Sequence, residues 1–287
     1  MKIVTDCAAD MLPEELQSLG ITMAPLFIQF PEGEVSSADI TADEFYTRLA
    51  AMRPSIPSTT QPSSGIFANI YRNLAQVDPQ ILSIHISSGL SGTFNAARIG
   101  GEAAAPQAEV NTWDTLTLSG GERFQVLAAA LAAKAGWVMA SIQKRLDEIR
   151  ANTETIFTLE TLEYLARGGR IGRVQALAGT LLDIKPVIHV DHKDGKYTTV
   201  NKSRTISKSL TAIVDHLHAK YTDTPLWVSV MHGKFADKSE ALASQLSERL
   251  NIAKMEIMRI SPVLGVHTGP GVVGAAVVPI SLMKDLI

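Results

Sequence analysis

Short β-branched runs alternate with amphipathic helical patterns through the first half of the chain, and this alternation most constrains the fold. Helical segments show apolar residues at three- and four-residue spacing. Strands are predicted at Ile3–Thr5, Ile21–Phe30, Ile81–Ile86 and Val110–Asp114, and helices at Pro13–Leu19, Ala42–Met52, Ser64–Ala75, Gly92–Ala104, Gly121–Lys134 and Val138–Ala151. Such alternation predicts a three-layer α/β domain with a mostly parallel sheet and helices on both faces.

From Thr155 the pattern changes. Asp194-Gly195 lies between two strand-like runs and predicts a β-hairpin. Strands are predicted at Ile156–Leu159, Val187–Val190, Tyr197–Val200, Leu226–Met231, Lys254–Ile260 and Val272–Val278, and helices at Thr161–Arg167, Val174–Leu182, Ser207–Lys220 and Lys238–Leu250. This order predicts a second, smaller α+β domain. The predicted domains are residues 1–152 and 153–287. The pattern does not decide whether segments of one domain are exchanged with the other.

Composition excludes several classes of protein. The chain has 287 residues, 46% hydrophobic and 19% charged, so it can bury a sizeable core. A net charge of −3 without basic runs argues against nucleic acid as a partner.

The sequence shows no targeting or membrane-spanning segment. Asp6 interrupts the apolar run that a signal peptide would need, and the apolar stretch Val126–Ala133 is too short to span a bilayer. We therefore expect a cytoplasmic protein without stable membrane insertion. Cys7 is the single cysteine, which excludes an internal disulfide.

A polar loop follows the strand predicted at Ile81–Ile86. Its hydroxyls belong to Ser87, Ser88, Ser91 and Thr93, and a helix is predicted to begin directly after them. Hydroxyl donors, free N–H groups and the helix dipole together favour an anion site. The alternative is that one serine caps the helix and the glycines form a turn.

Three further segments carry candidate residues. Thr59 and Thr60 lie between Pro57 and Pro62, which favour an extended segment whose hydroxyls either bind an anion or belong to a surface turn. His267 precedes a Thr-Gly-Pro-Gly turn and is either structural or projects into a cleft.

Arg170 lies between glycines in Gly168–Arg173 and either caps a helix or contributes to a site. The spacing of these glycines does not match a dinucleotide loop, and the chain has no P-loop motif, so no nucleotide cofactor is expected. Histidines 85, 189, 192, 216, 218 and 232 show no spacing typical of metal ligands, so no metal site is expected either.

Taken in order, these motifs resemble the DegV family of bacterial lipid-binding proteins. The resemblance rests on Lys2–Asp6, Pro57–Ser63, Ser87–Thr93, Gly168–Arg173 and His267–Gly274, and it extends from residue 2 to about residue 278. It implies a protein that binds a long-chain fatty acid and acts as the acyl-carrier subunit of a bacterial fatty acid kinase in phospholipid metabolism. A separate kinase subunit would be the partner, and the chain alone would not be an enzyme.

The resemblance also assigns residues to roles. It implies that Thr59, Ser91 or Ser88, and His267 contact the fatty acid carboxylate. Arg170, with Thr60, Gly92 and Thr93, is expected in the head-group network or in engagement of the kinase. Cys7 stands where the family usually has serine, which favours a buried, inert thiol.

Two other functions remain open from the residues. Gly89-Leu90-Ser91-Gly92-Thr93 follows a strand and precedes a helix, as the nucleophile of a serine hydrolase does, but Thr93 stands where the G-x-S-x-G motif requires glycine. The other is a binding protein for a different small carboxylate or phosphate, which would need no long apolar interior.

Overall fold

Strands and helices alternate along the first half of the chain, as the sequence predicts. The computed structural model describes residues 1–175 and 184–286. The elements of the first half are β1 (Lys2–Asp6), α1 (Pro13–Leu19), β2 (Ile21–Ala24), β3 (Phe27–Phe30), β4 (Gly33–Ser36), α2 (Ala42–Ala51), β5 (Ser58–Thr60), α3 (Ser64–Ala75), β6 (Gln80–His85), α4 (Thr93–Ala104), β7 (Glu109–Asp114), α5 (Gly120–Lys134) and α6 (Met139–Asn152).

The second half is richer in antiparallel strands. Its elements are β8 (Glu154–Leu159), α7 (Glu163–Arg167), β9 (Lys185–Val190), β10 (Tyr197–Ser203), α8 (Ile206–Tyr221), β11 (Leu226–His232), α9 (Ala236–Arg249), β12 (Ile252–Arg259), α10 (Pro262–Thr268) and β13 (Val272–Pro279). The helix predicted over Val174–Leu182 lies mostly outside the described residues. The predicted boundary near residue 152 falls between α6 and β8 and stays a prediction.

The first sheet is parallel and contains a topological switch point. Its strand order is β2-β1-β6-β7, with each neighbouring pair parallel. The chain leaves β1 towards one edge of the sheet and leaves β6 towards the other. A crevice therefore opens at the carboxyl ends of β1 and β6, where open α/β sheets commonly bind ligands.

Helix α5 lies between the two sheets. It packs against β1 and β6 on one side and against β8, β11 and β13 on the other. Most of its residues are buried, and its many alanines allow both sheets to approach closely. Helices α3 and α4 cover the outer face of the first sheet.

The second sheet has the order β10-β9-β8-β13-β11-β12, and β11 with β12 is its one parallel pair. Helices α8 and α9 cover its outer face and bury residues such as Leu210, Ile213 and Leu242. The predicted α/β class, with a parallel sheet in the first half and an α+β arrangement in the second, is confirmed.

One prediction of local structure was wrong. The strand predicted over Ile21–Phe30 is divided into β2 and β3 because Pro25 cannot donate to a ladder. Strand β3 instead forms a small antiparallel sheet with β4 and β5. His267 lies in the last turn of helix α10, which the sequence pattern did not predict. In the described part of the chain, no helix combines the length and apolar character that crossing a membrane requires.

Candidate functional site

Three hollows share lining residues and form one path from the surface into the space between the sheets. The outer hollow shares Leu26, Thr59, Ser91 and Arg170 with a middle hollow. The middle hollow shares Tyr197, Leu264 and Thr268 with an inner hollow. Ala8, Ile86 and Leu90 line the middle hollow just after β1 and β6, so the path begins at the topological switch point.

The inner hollow presents an apolar surface. Its larger lining side chains are Leu118, Phe157, Tyr197, Met231, Ile260, Leu264 and Val272. The serine and threonine hydroxyls among its lining residues already have partners in the protein. Ser119 donates to Asp10, the hydroxyls of Thr155 and Thr117 lie 2.9 Å apart, and Thr268 donates to the Leu264 carbonyl at 3.0 Å. These hydroxyls therefore need no hydrogen-bond partner from a ligand in this hollow.

Thr59 and His267 meet at the boundary between the outer and middle hollows. Strand β5 holds Thr59 opposite Ile28, and the last turn of α10 carries His267. The Thr59 Oγ1 lies 2.7 Å from His267 Nε2. When the ring proton is on Nε2, His267 donates to Thr59, and the Thr59 hydroxyl hydrogen is free for a ligand.

Burial, and then the positive charge of Arg170, lower the pKa of His267 from 6.5 to about 4. The imidazole is therefore neutral at neutral pH. Its other nitrogen, Nδ1, is buried without a hydrogen-bond partner among the described residues. The ring packs so closely on Gly168 that a β-carbon there would collide with Nδ1. This contact gives Gly168 a packing role in the glycine-rich segment.

Ser91 is the serine of the polar loop that lines the path. Its hydroxyl lies 2.8 Å from the Thr93 hydroxyl and accepts the Thr93 amide at 3.3 Å. Ser88 is exposed, and its amide donates to Asp114 Oδ1 at 3.1 Å. The sequence could not choose between the two serines, whereas the structure places Ser91 beside Thr59 in both the outer and middle hollows.

The remaining residues of the predicted head-group network are more dispersed. Thr93 is buried at the start of α4, and Gly92 is the exposed residue before it, with the Gln61 carboxamide packed against it. Thr60 lines the outer hollow, but its hydroxyl donates to Glu34 Oε2 at 3.1 Å.

Arg170 lines both the outer and the middle hollow and is otherwise exposed. Its Nη1 donates to the Gly168 carbonyl at 2.8 Å, which holds the side chain over its own loop. Arg170 is thus a cation at the mouth of the path, close enough to affect the pKa of His267.

Burial raises the pKa of the Cys7 thiol to about 12. Its sulfur accepts the Leu26 amide at 3.3 Å. A buried, protonated thiol agrees with the inert role expected from the sequence.

The sequence did not identify several lining residues. Tyr197 is buried where the middle and inner hollows meet and packs edge to face on Phe157, with ring centroids 5.4 Å apart. Leu264 lies at the same junction, and Gln61 lines the outer hollow. Tyr197 and Leu264 look like ordinary core residues in the sequence. Gln61 lies within the Pro57–Ser63 motif, and this position in the motif is the one sequence feature that could have identified it as a lining residue.

Comparisons with known proteins give one consistent result. A family model described as "Uncharacterised protein, DegV family" matches residues 1–280. A DegV domain-containing protein of Deinococcus radiodurans is 36% identical over 278 residues, covering 96% of this chain and 95% of its own.

Solved structures agree in fold over nearly the whole chain. A DegV family protein from Thermus thermophilus, described for fatty acid binding, is 28% identical, with a TM-score of 0.90 over 97% of this chain and 99% of its own. A stearic acid-binding protein from Eubacterium ventriosum is 26% identical, with a TM-score of 0.86 over 97% of this chain and 98% of its own. With the family model matching nearly every residue, this chain belongs to the DegV family.

Proposed function

We propose that the chain binds one long-chain fatty acid. The acyl chain occupies the middle and inner hollows, and Thr59, Ser91 and His267 receive the carboxylate at the outer hollow. The observation that carries this proposal is the division of the path into a polar mouth and an apolar interior whose serine and threonine hydroxyls already have partners. The fatty acid binding described for the Thermus and Eubacterium proteins supports it.

The mouth has donors suited to a carboxylate. The Thr59 hydroxyl can donate when His267 Nε2 donates to it. The Ser91 hydroxyl can donate when Thr93 donates to Ser91 instead of accepting from it. Hydrogen bonds to a charged acceptor are stronger than neutral ones, and the nearby Arg170 guanidinium offsets part of the desolvation of the carboxylate.

The interior supplies most of the affinity. A chain of about sixteen carbons, at roughly 0.8 kcal/mol for each buried methylene, gains on the order of 10 kcal/mol before ordering costs. The partnered hydroxyls of Ser119, Thr155 and Thr268 add no desolvation penalty, since they need no partner from the ligand.

The proposed role is that of a carrier for a separate ATP-dependent fatty acid kinase. The carboxylate lies at the open end of the path, where a second protein can reach it. A carboxylate oxygen would attack the γ-phosphorus of ATP, a new C–O–P linkage would form, and the bond to the β-phosphate would break to release ADP. Arg170 and Thr60 line the outer hollow, and Gly92 and Thr93 follow Ser91 in the chain; these four residues are the proposed contacts for the head group or the kinase. The need for ATP places both proteins in the cytoplasm.

The contacts of Ser91 oppose the serine hydrolase alternative. Its hydroxyl partners are the hydroxyl and the amide of Thr93, and neither is a base. His267 Nε2, the nitrogen that would activate a nucleophile, faces Thr59 instead. A hydrolase needs its serine within reach of a base, so this arrangement favours a carrier.

Titration of lipid-free protein with acids of increasing chain length tests the proposal. Affinity should rise steadily from octanoate to palmitate, because each methylene adds buried apolar area. Acetate and inorganic phosphate should not compete. Equal affinity for short and long acids, or tight phosphate binding, would instead identify a site for a small anion.

A further inference from the structure

A buried carboxylate outside the lipid path collects three histidines and a lysine. Glu154 begins β8 with its side chain 2% exposed. His189 comes from the neighbouring strand β9, and His216 and Lys220 come from helix α8, which covers this face of the sheet. His192 follows in the turn between β9 and β10.

The two Glu154 oxygens have different neighbours. Oε1 lies 2.6 Å from His189 Nδ1 and 3.4 Å from His216 Nε2. Oε2 pairs with the Lys220 ammonium and lies 3.6 Å from His192 Nε2. These neighbours hold the pKa of Glu154 well below its usual range despite its burial, so it is a carboxylate.

Two of the histidine nitrogens lack hydrogen-bond partners within the described residues. The Nε2 atoms of His192 and His216 are buried, and their contacts with the Glu154 oxygens, at 3.6 and 3.4 Å, are not hydrogen bonds. Buried polar atoms normally have a partner, and a bound ion is one reason for an exception. Both nitrogens face Glu154, so they converge on the same small volume.

We propose that Glu154, His189 and His216 bind a divalent transition metal ion, with zinc the best match. One possible ligand atom from each of these residues lies within 4.8 Å of the other two. Zinc binds imidazole nitrogen and carboxylate oxygen at about 2.0–2.2 Å in tetrahedral sites. His192 Nε2 lies 3.6 Å from the other carboxylate oxygen but outside this group of three, so the fourth ligand would be a water molecule or His192 after a rotation of its side chain.

Binding requires only local changes. His189 would coordinate through Nδ1, which requires its ring proton to be on Nε2 instead. The Oε1 that His189 approaches would become a zinc ligand. Lys220 pairs with the other oxygen and its side chain is 32% exposed, so its ammonium can turn towards water as the ion enters. Lys220 is therefore a competitor for Glu154.

The site is distinct from the lipid path. Thr155, the residue after Glu154, lines the inner hollow from the opposite face of β8. The ion would connect β8, β9 and α8 on the outer face, so its binding can be measured whether or not a fatty acid is present.

Calorimetric titration of the untagged, chelator-treated full chain with zinc chloride tests the proposal. We expect one zinc ion per chain, and a cobalt(II) complex with the visible absorption of tetrahedral nitrogen and oxygen coordination. His189→Ala and His216→Ala should each weaken zinc binding about tenfold or more, since changing even an outer-shell partner of a metal ligand costs that much. His218→Ala, two residues from His216 in the same helix, is the matched control and should bind zinc normally.

Lys220→Ala separates a metal site from a simple ion pair. Removing the competing ammonium should tighten zinc binding, provided that circular dichroism shows a folded chain. Stoichiometric binding that persists in the folded double variant His189→Ala/His216→Ala would overturn the proposal. So would the absence of zinc binding by the wild-type chain.

Discussion

The Nε2 atom of His267 lies 2.7 Å from the Thr59 hydroxyl, although 208 positions separate the two residues in the chain. One residue comes from the small sheet of the first half and the other from helix α10 of the second. The same helix packs against α2, β3 and β5. The proposed carboxylate site therefore forms only when the two halves of the chain are assembled.

Thr59→Val should weaken fatty acid retention by about ten- to hundredfold, because a hydrogen bond to a charged group contributes about 1.5–3 kcal/mol. Valine keeps the size of threonine and suits a strand. Retention is measured by transfer of a fluorescent fatty acid to acceptor vesicles. Thr47→Val is the control, since that hydroxyl bonds to the Asp43 carbonyl on an exposed helix. Equal retention in wild type and Thr59→Val would remove Thr59 from the site.

His267→Ala and Arg170→Ala should affect different steps. His267→Ala should release fatty acid several-fold faster, because Thr59 loses its partner, while apolar burial still holds part of the ligand. Arg170→Ala should keep its lipid and reduce acyl-phosphate formation by the cognate kinase, because the exposed guanidinium lies at the mouth. Both variants must show cooperative melting. Loss of lipid from Arg170→Ala, with normal turnover when lipid is in excess, would place Arg170 in the pocket instead.

The stability of the lipid-free protein should contain a pH-dependent contribution from His267. Its pKa is about 4 when folded, against 6.5 as the ordinary value, so between these values the unfolded chain binds a proton that the folded chain does not. The free energy of unfolding should therefore fall with decreasing pH, by about 2–3 kcal/mol across this window.

Asp10 acts in the opposite direction, because burial raises its pKa to about 6, so a comparison of variants is needed. Denaturant unfolding of wild type and His267→Asn at pH 7 and pH 4.5 isolates the histidine. Relative to the variant, the wild type should lose about 2–3 kcal/mol on acidification. If the difference in the free energy of unfolding between wild type and His267→Asn were the same at both pH values, the pKa of His267 would not be lowered by folding.

Gly195→Ala should speed the release of fatty acid and should also lower the stability of the fold. Gly195 has a φ of +64°, its carbonyl accepts the Ser87 hydroxyl at 2.9 Å, and an added β-carbon would collide with that hydroxyl. Gly20 has a φ of +63° with nothing within 4 Å of the same position, so Gly20→Ala incurs only the left-handed backbone cost of about 1–2 kcal/mol.

Thermal unfolding and lipid retention distinguish the two glycine variants. Gly195→Ala should melt lower than Gly20→Ala and should release fatty acid faster, because the polar loop that carries Ser91 rests on this hairpin. Equal melting and retention in both variants would mean that the contact between hairpin and loop does not support the site.

The sequence predicted the regular elements well because their periodicity is strong. Helix α3 matches its predicted bounds, and the hairpin at Asp194-Gly195 forms as its turn residues require. The small sheet was missed because β4 and β5 are short and largely exposed, so neither shows an apolar alternation. Helix α10 was missed because Gly265 and two valines weaken its helical propensity, and packing against α2 and α7 stabilises it instead.

The sequence indicated candidate site residues but not their arrangement. Choosing Ser91 over Ser88 requires the direction of each side chain in an irregular loop, which no periodicity encodes. Glu154 and His189 are 35 positions apart and meet only because β8 and β9 are neighbours in the sheet. Metal ligands contributed by separate elements leave no fixed spacing in the sequence. The roles of Thr59, Ser91, His267 and Arg170 stay predictions that the variants above test.

Native mass spectrometry of the full chain purified from bacteria, followed by organic extraction, tests the central claim most directly. Leu264→Trp, which should fill the junction of the middle and inner hollows, is the control and should purify without lipid. We predict one long-chain fatty acid per wild-type chain. A folded wild-type protein that carries no acid, and whose melting temperature does not change with added palmitate or oleate, would contradict the account.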